Sequence, residues 1–229
     1  MEVLNPNMVT ALQAYIPQII DYLLSLVLVI SILLLGARRL PQKVYLFALQ
    51  SLFLTLILVG LGIMHHSQQA LLTALLILGG KFILIPSALF KVLEKVPMNK
   101  KVESYFTIPT GMIIGGLLIL LSHYLTASLF PQADHLFIGV FSVGSSLVFI
   151  GLFMMMTFKK ALTQILGLYV MDNGIFCLTL ATVFEMPMII EMGMLFELLL
   201  GILVLGVMVA RIHRHFDSTN IDELQELRG

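Results

Sequence analysis

Charge is scarce in this sequence. Only 11% of the 229 residues are Asp, Glu, Lys or Arg and 59% are hydrophobic, whereas soluble domains average roughly 25% charged, so most of the chain must be solvated by lipid. Basic and acidic residues number 13 each. That balance leaves no electrostatic footprint for nucleic acid and no net attraction to acidic partners. The only cysteine, Cys177, lies inside an apolar run, which excludes an intramolecular disulfide and argues against a thiolate metal site. Fourteen methionines read as flexible packing rather than metal ligands. No nucleotide-binding glycine loop, nucleophile elbow or zinc-protease signature occurs, so catalytic machinery, cofactor and resident metal are all expected to be absent. His65-His66 and His213 with His215 lack a carboxylate or cysteine at ligand spacing and read as interfacial. The N-terminus shows neither the basic stretch nor the small-residue cleavage site of a removable signal. Nor is there a Gly/Ser linker, so 1–229 reads as one polytopic domain with a short polar tail from Arg211.

What the chain has is long apolar runs. A bilayer crossing needs about 20 predominantly apolar residues at helical rise, and seven such runs occur, near 17–36, 44–64, 70–91, 107–128, 136–156, 161–184 and 188–211. The expectation is an all-α integral membrane protein of about seven transmembrane helices. The basic residues check the count, because cytoplasmic loops carry excess Lys and Arg. Arg38, Arg39 and Lys43 fall between helices one and two; Lys91, Lys95, Lys100 and Lys101 between three and four; Lys159 and Lys160 between five and six; Arg211, Arg214 and Arg228 after seven. The alternate connections hold no Lys or Arg. The N-terminus is therefore expected outside and the C-terminus in the cytoplasm.

Lys81 alone among the basic residues lies inside an apolar run. Asp172 and Glu197 are equally central in theirs, about 15 to 18 Å deep at helical rise. A charge at mid-bilayer costs at least ~2.5 to 3.5 kcal/mol, so such residues face a bundle interior or water and mark a pathway. Three groups at one depth compensate one another, and proton exchange among them is coupled. Gly193 and Gly201 lie at i−4 and i+4 from Glu197, where small residues let a neighbouring helix approach. Tyr169 lies one turn before Asp172. Gly79-Gly80 before Lys81 and Pro86 after it loosen the third helix beside the charge. Glu191, six residues before Glu197, points about 120° away from it and reads either as an entry point or as interfacial. The alternative for the whole set is static pairing that holds the bundle or a neighbouring subunit.

A shift of 116 residues lays Lys81 on Glu197, with a basic pair one helix earlier in both halves. Residues 16–95 thus form a possible degenerate repeat of the C-terminal unit 136–229.

The stretch Gly167-Leu168-Tyr169-Val170-Met171-Asp172-Asn173-Gly174, with Glu191, Glu197 and the ending Phe216-Asp217 through Ile221-Asp222-Glu223-Leu224 to Leu227-Arg228-Gly229, resembles hydrogenase-4 component E. That family comprises membrane subunits of group 4 [NiFe]-hydrogenase complexes of the formate hydrogenlyase type. The same region is similar to subunit K of NADH-quinone oxidoreductase, respiratory complex I, whose second and third helices carry buried glutamates. Glu197 matches the third-helix glutamate; Tyr169 stands where the second would be, with Asp172 one turn later on the same face as a substitute. The resemblance implies a non-catalytic subunit in a bacterial or archaeal cytoplasmic (inner) membrane, beside antiporter-like pump subunits and, indirectly, a hydrogenase or dehydrogenase module. It implies that Glu197, Asp172, Lys81, Glu191 and Tyr169 lie on a proton or ion pathway. A structural adaptor between pump and redox modules, and a small cation/proton antiporter subunit or transporter, are the alternatives.

Overall fold

The computed structural model describes residues 6–64, 68–95, 102–182 and residue 193. The helices are α1 (Pro6–Gly36), α2 (Leu40–Met64), α3 (Gln68–Ile77), a π-helical segment (Leu78–Leu84), α4 (Ile85–Lys95), α5 (Ile108–Leu129), α6 (His135–Thr157) and α7 (Ala161–Thr182). α3, the π segment and α4 make one continuous span. Among the described residues, six helices are long and apolar enough to cross a membrane: Tyr15–Gly36, Leu40–Met64, Thr73–Lys91, Ile108–Leu129, His135–Thr157 and Ala161–Thr182. These coincide with the first six expected runs. The seventh expected span, with Glu191, Glu197 and Gly201, lies outside the described residues, as does the polar tail. Of that span only Gly193 is described; it is helical, and nothing lies within 4 Å of where a Cβ would stand.

α1 begins at Pro6 rather than near 17, α2 at Leu40 rather than 44, and α4 ends at Lys95 rather than near 91. Pro41 in the first turn has its φ already set for a helix and gives up an N–H that would be unpaired there anyway. Lys43, expected in the connection, therefore becomes helical and fully buried. The π segment is the form taken by the loosening expected around Gly79-Gly80 and Pro86. Pro86 cannot donate to the Phe82 carbonyl four residues back, and the Ile85 N–H bonds instead to Gly80 O, five residues back, the π pattern.

The tightest helix contact is α6 on α7, an antiparallel pair with a glycine at each crossing. A Cβ on Gly151 would lie 2.5 Å from Met171 N and 2.6 Å from Gly167 O; one on Gly174 would lie 2.6 Å from Gly144 O and from Val148 N. The backbones thus touch directly, the small-residue packing that replaces the hydrophobic drive between helices in lipid. α5 joins α6 through hydroxyls: Ser122 Oγ donates to Ser142 O at 2.9 Å, and His123 Nδ1 lies 3.3 Å from Ser142 Oγ. At the basic end, the segment before α5 crosses the bundle. Val102 N donates to Arg38 O (2.9 Å), Tyr105 N to Thr157 O (3.1 Å) and Lys159 N to Glu103 O (3.0 Å). The basic connections between spans one and two, and five and six, are thereby gathered at one end of the bundle.

Candidate functional site

Lys81 is carried by the π segment, where the helix is widened by one residue, and its side chain is 6% exposed. Its Nζ donates to Asp172 Oδ2 on α7 at 2.9 Å and lies 5.3 Å from the centre of the Phe176 ring. Asp172 and Phe176 are one turn apart, so one face of α7 meets the ammonium with a carboxylate and an aromatic ring. The Asp172 side chain is 25% exposed. Two of the three central charges expected from sequence are therefore in contact; Glu197 lies outside the described residues, as does Glu191.

The next residue, Asn173, serves a different neighbour. Asn173 Nδ2 donates to Gln50 Oε1 (3.3 Å) and Ser51 Oγ (3.4 Å) on α2. Gln50 Nε2 donates in turn to Ser31 Oγ on α1 (2.8 Å), and Ser31 Oγ to Val27 O (2.7 Å). All four side chains are buried. The Asn173 Oδ1, buried as well, has no hydrogen-bond partner among the described residues, an acceptor whose burial costs about 1 to 3 kcal/mol when unmet. Tyr169 lies one turn back on the Asn173 face, buried, its ring 5.7 Å from that of Phe47 on α2.

α2 repeats this order along one stripe at i, i+4 and i+7. Lys43 is followed by Phe47 and Gln50. Lys43 Nζ donates to Leu34 O at 2.5 Å and lies 3.9 Å from the centre of the Phe158 ring. Leu34 is among the last residues of α1, whose carbonyls have no helical donor, so a cation there both caps and offsets the negative helix end. From the basic end inward, the buried polar groups run from Lys43 to Tyr169, then to Gln50, Ser51 and Asn173, beside Asp172 and Lys81. Thr179, seven residues after Asp172, donates to Ile175 O of its own helix at 2.9 Å.

Lys43, Gln50, Ser51, Ser31 and Asn173 were not picked out from sequence. Gln50 and Asn173 are uncharged amides that hydropathy passes over. The available signal was the spacing of Lys43 and Gln50 on one helical face. Among the described residues, no group of three or more His, Cys, Asp or Glu is placed to hold a metal.

Among the described residues, six apolar spans around a partly buried ion pair and an amide cluster point to a multi-pass helical membrane protein. Over most of its length it is similar to hydrogenase-4 component E. The chain is 21% identical to hydrogenase-4 component E of Escherichia coli K12, over 92% of this chain and 98% of that one. The same figures hold for the protein of that name from Shigella flexneri. The uncharacterized protein Rv0085 of Mycobacterium tuberculosis is 24% identical over 92% of this chain and 96% of its own length. No family model and no solved structure matches the chain.

Proposed function

We propose that the chain is a membrane subunit of a complex I-like or group 4 [NiFe]-hydrogenase complex and carries part of an intramembrane proton or ion pathway coupling redox chemistry to ion movement. Full-length similarity to a hydrogenase-4 component supports the membership. The single observation that carries the pathway is the 2.9 Å Lys81–Asp172 contact at mid-helix. Transfer of a proton along that bond converts ammonium and carboxylate into amine and acid, so the pair holds its proton in two places. The amide cluster beside it, with the open Asn173 Oδ1 acceptor, provides the polar surroundings that water needs to approach. In this reading Lys81, Asp172 and Glu197 are the carriers, Glu191 a lateral step and Tyr169 a hydrogen-bonding flank. Gly193 and Gly201 give a neighbouring helix access to Glu197. Residues 136–229 act as the subunit K-like unit and 16–95 as its degenerate repeat. The C-terminus faces the cytoplasm from the inner membrane and antiporter-like subunits lie alongside.

A structural adaptor is the second reading, favoured by α5. Ile113, Leu117, Leu120 and Tyr124 form an exposed apolar stripe on it, each at least 60% exposed, which suits packing against another subunit. Asp172→Asn in the assembled complex, reconstituted into vesicles, separates the two. A carrier role is expected to lower the rate of coupled proton uptake about 100-fold, the lower end for losing one positioned acid–base group, with assembly retained and Asp172→Glu restoring part of it. Unchanged coupled proton uptake in assembled Asp172→Asn vesicles would leave the adaptor.

A further inference from the structure

The basic end of the bundle contains a cavity of about 500 Å³ between the end of α1, the segment before α5 and the end of α6. Its volume is within the roughly 300 to 1,000 Å³ of small-ligand sites. Arg38 and Arg39 line it together with Ser104 and Thr107, and Leu35, Phe106, Ile108 and Phe153 supply apolar lining. Gly111 lines it too, and a Cβ there would meet nothing within 4 Å.

Among the described residues around it, basic groups outnumber acidic ones. Lys43 lies over Phe158, another lining residue, and Lys159 over Tyr105. Glu103, the acidic side chain flanked by Val102 and Ser104, is engaged by Lys160 at 3.2 Å. Both arginines are exposed, in the turn where α1 gives way to α2, which is where an apolar span leaves hydrocarbon for headgroups.

We propose that this cavity is a site for an anionic phospholipid, its phosphate held by Arg38 and Arg39 and the glycerol end of its chains lying on the Leu35, Phe106 and Phe153 wall. Basic pockets between helices bind anionic headgroups, and guanidinium forks fit phosphate oxygens in pairs. The apolar wall selects a lipid over free phosphate. This site is separate from the Lys81–Asp172 pair and stands whether or not that pair moves protons.

The test uses the full chain in detergent, stripped of lipid and titrated with dioleoyl phosphatidylglycerol, dioleoyl phosphatidylcholine or glycerol phosphate, with bound adducts read by native mass spectrometry. Phosphatidylglycerol is expected to bind in preference to phosphatidylcholine, and glycerol phosphate not to compete with it. The double variant Arg38→Gln/Arg39→Gln is expected to bind phosphatidylglycerol roughly 30-fold more weakly, which is about 2 kcal/mol for two surface cations. Lys91→Gln, an exposed lysine in α4 near the same end, should change affinity less than ~3-fold. Gly111→Leu fills the cavity without touching the arginines and should weaken binding with thermal stability kept. Equal binding of phosphatidylcholine, competition by glycerol phosphate, an equal loss in Lys91→Gln, or unchanged binding in the double variant would each overturn the assignment.

Discussion

Gly151→Ala is expected to loosen the α6–α7 pair by an amount that follows from its geometry. The new methyl would stand 2.5 Å from Met171 N, 2.6 Å from Gly167 O and 2.7 Å from Met171 Cα. Ordinary contact begins at 3.4 Å, so the helices must part by about 0.7 to 0.9 Å. All three obstacles are backbone, and no rotamer change relieves them. Overpacking of this kind costs about 1 to 3 kcal/mol. The rigid obstacles place Gly151 at the upper end, and the helix preference of Ala over Gly returns about 1 kcal/mol. The net loss is about 2 kcal/mol, or a Tm lower by ~4 to 8 °C at this chain length. Gly116→Ala is the matched control, since a Cβ there meets nothing within 4 Å; it should raise Tm by up to ~4 °C. The molecule carries its own reporter. Cys177, the chain's only cysteine, is 1% exposed and packs at the Gly144 crossing, where a Cβ on Gly144 would be 2.9 Å from its own. A fluorogenic maleimide should therefore react only as α6 and α7 separate. Equal melting of the two variants, or a lower Tm for Gly116→Ala than for Gly151→Ala, would refute the reasoning.

Two further expectations concern buried polar groups. Lys43→Met should lower stability by about 1 to 3 kcal/mol, the cost of leaving the Leu34 carbonyl without its donor; thermal melts in detergent measure it. Gln50→Leu should cost about 1 to 3 kcal/mol by taking one of two acceptors from Asn173 Nδ2 and the donor from Ser31 Oγ. The double variant Gln50→Leu/Asn173→Leu should recover most of that, a coupling that a double-mutant cycle reads directly.

Sequence reasoning located the six described spans because length and apolarity are one-dimensional properties: a run of about 20 residues is visible without knowing what it faces. Lys81 and Asp172 were equally visible, since a charge in hydrocarbon is conspicuous at any rotation. Lys43 was misplaced for the complementary reason. Counted by charge it belongs to a connection, but its long aliphatic stem can be buried while its ammonium reaches the Leu34 carbonyl. Asn173 was quoted for its resemblance and passed over for its chemistry, because partnership with Gln50 depends on how α2 and α7 are turned about their axes. Depth along a helix can be counted from sequence; azimuth requires the packed neighbours.

Asp172 and Asn173 are consecutive, and consecutive residues on a helix point about 100° apart. α7 is consequently gripped from two directions, by Lys81 on one side and by Gln50 with Ser51 on the other, while Gly167 and Gly174 press its third side to α6. Such a helix has a single angular setting. A twist large enough to release the carboxylate from the ammonium also pulls the amide off α2, so the ion pair and the amide cluster open and close as one latch.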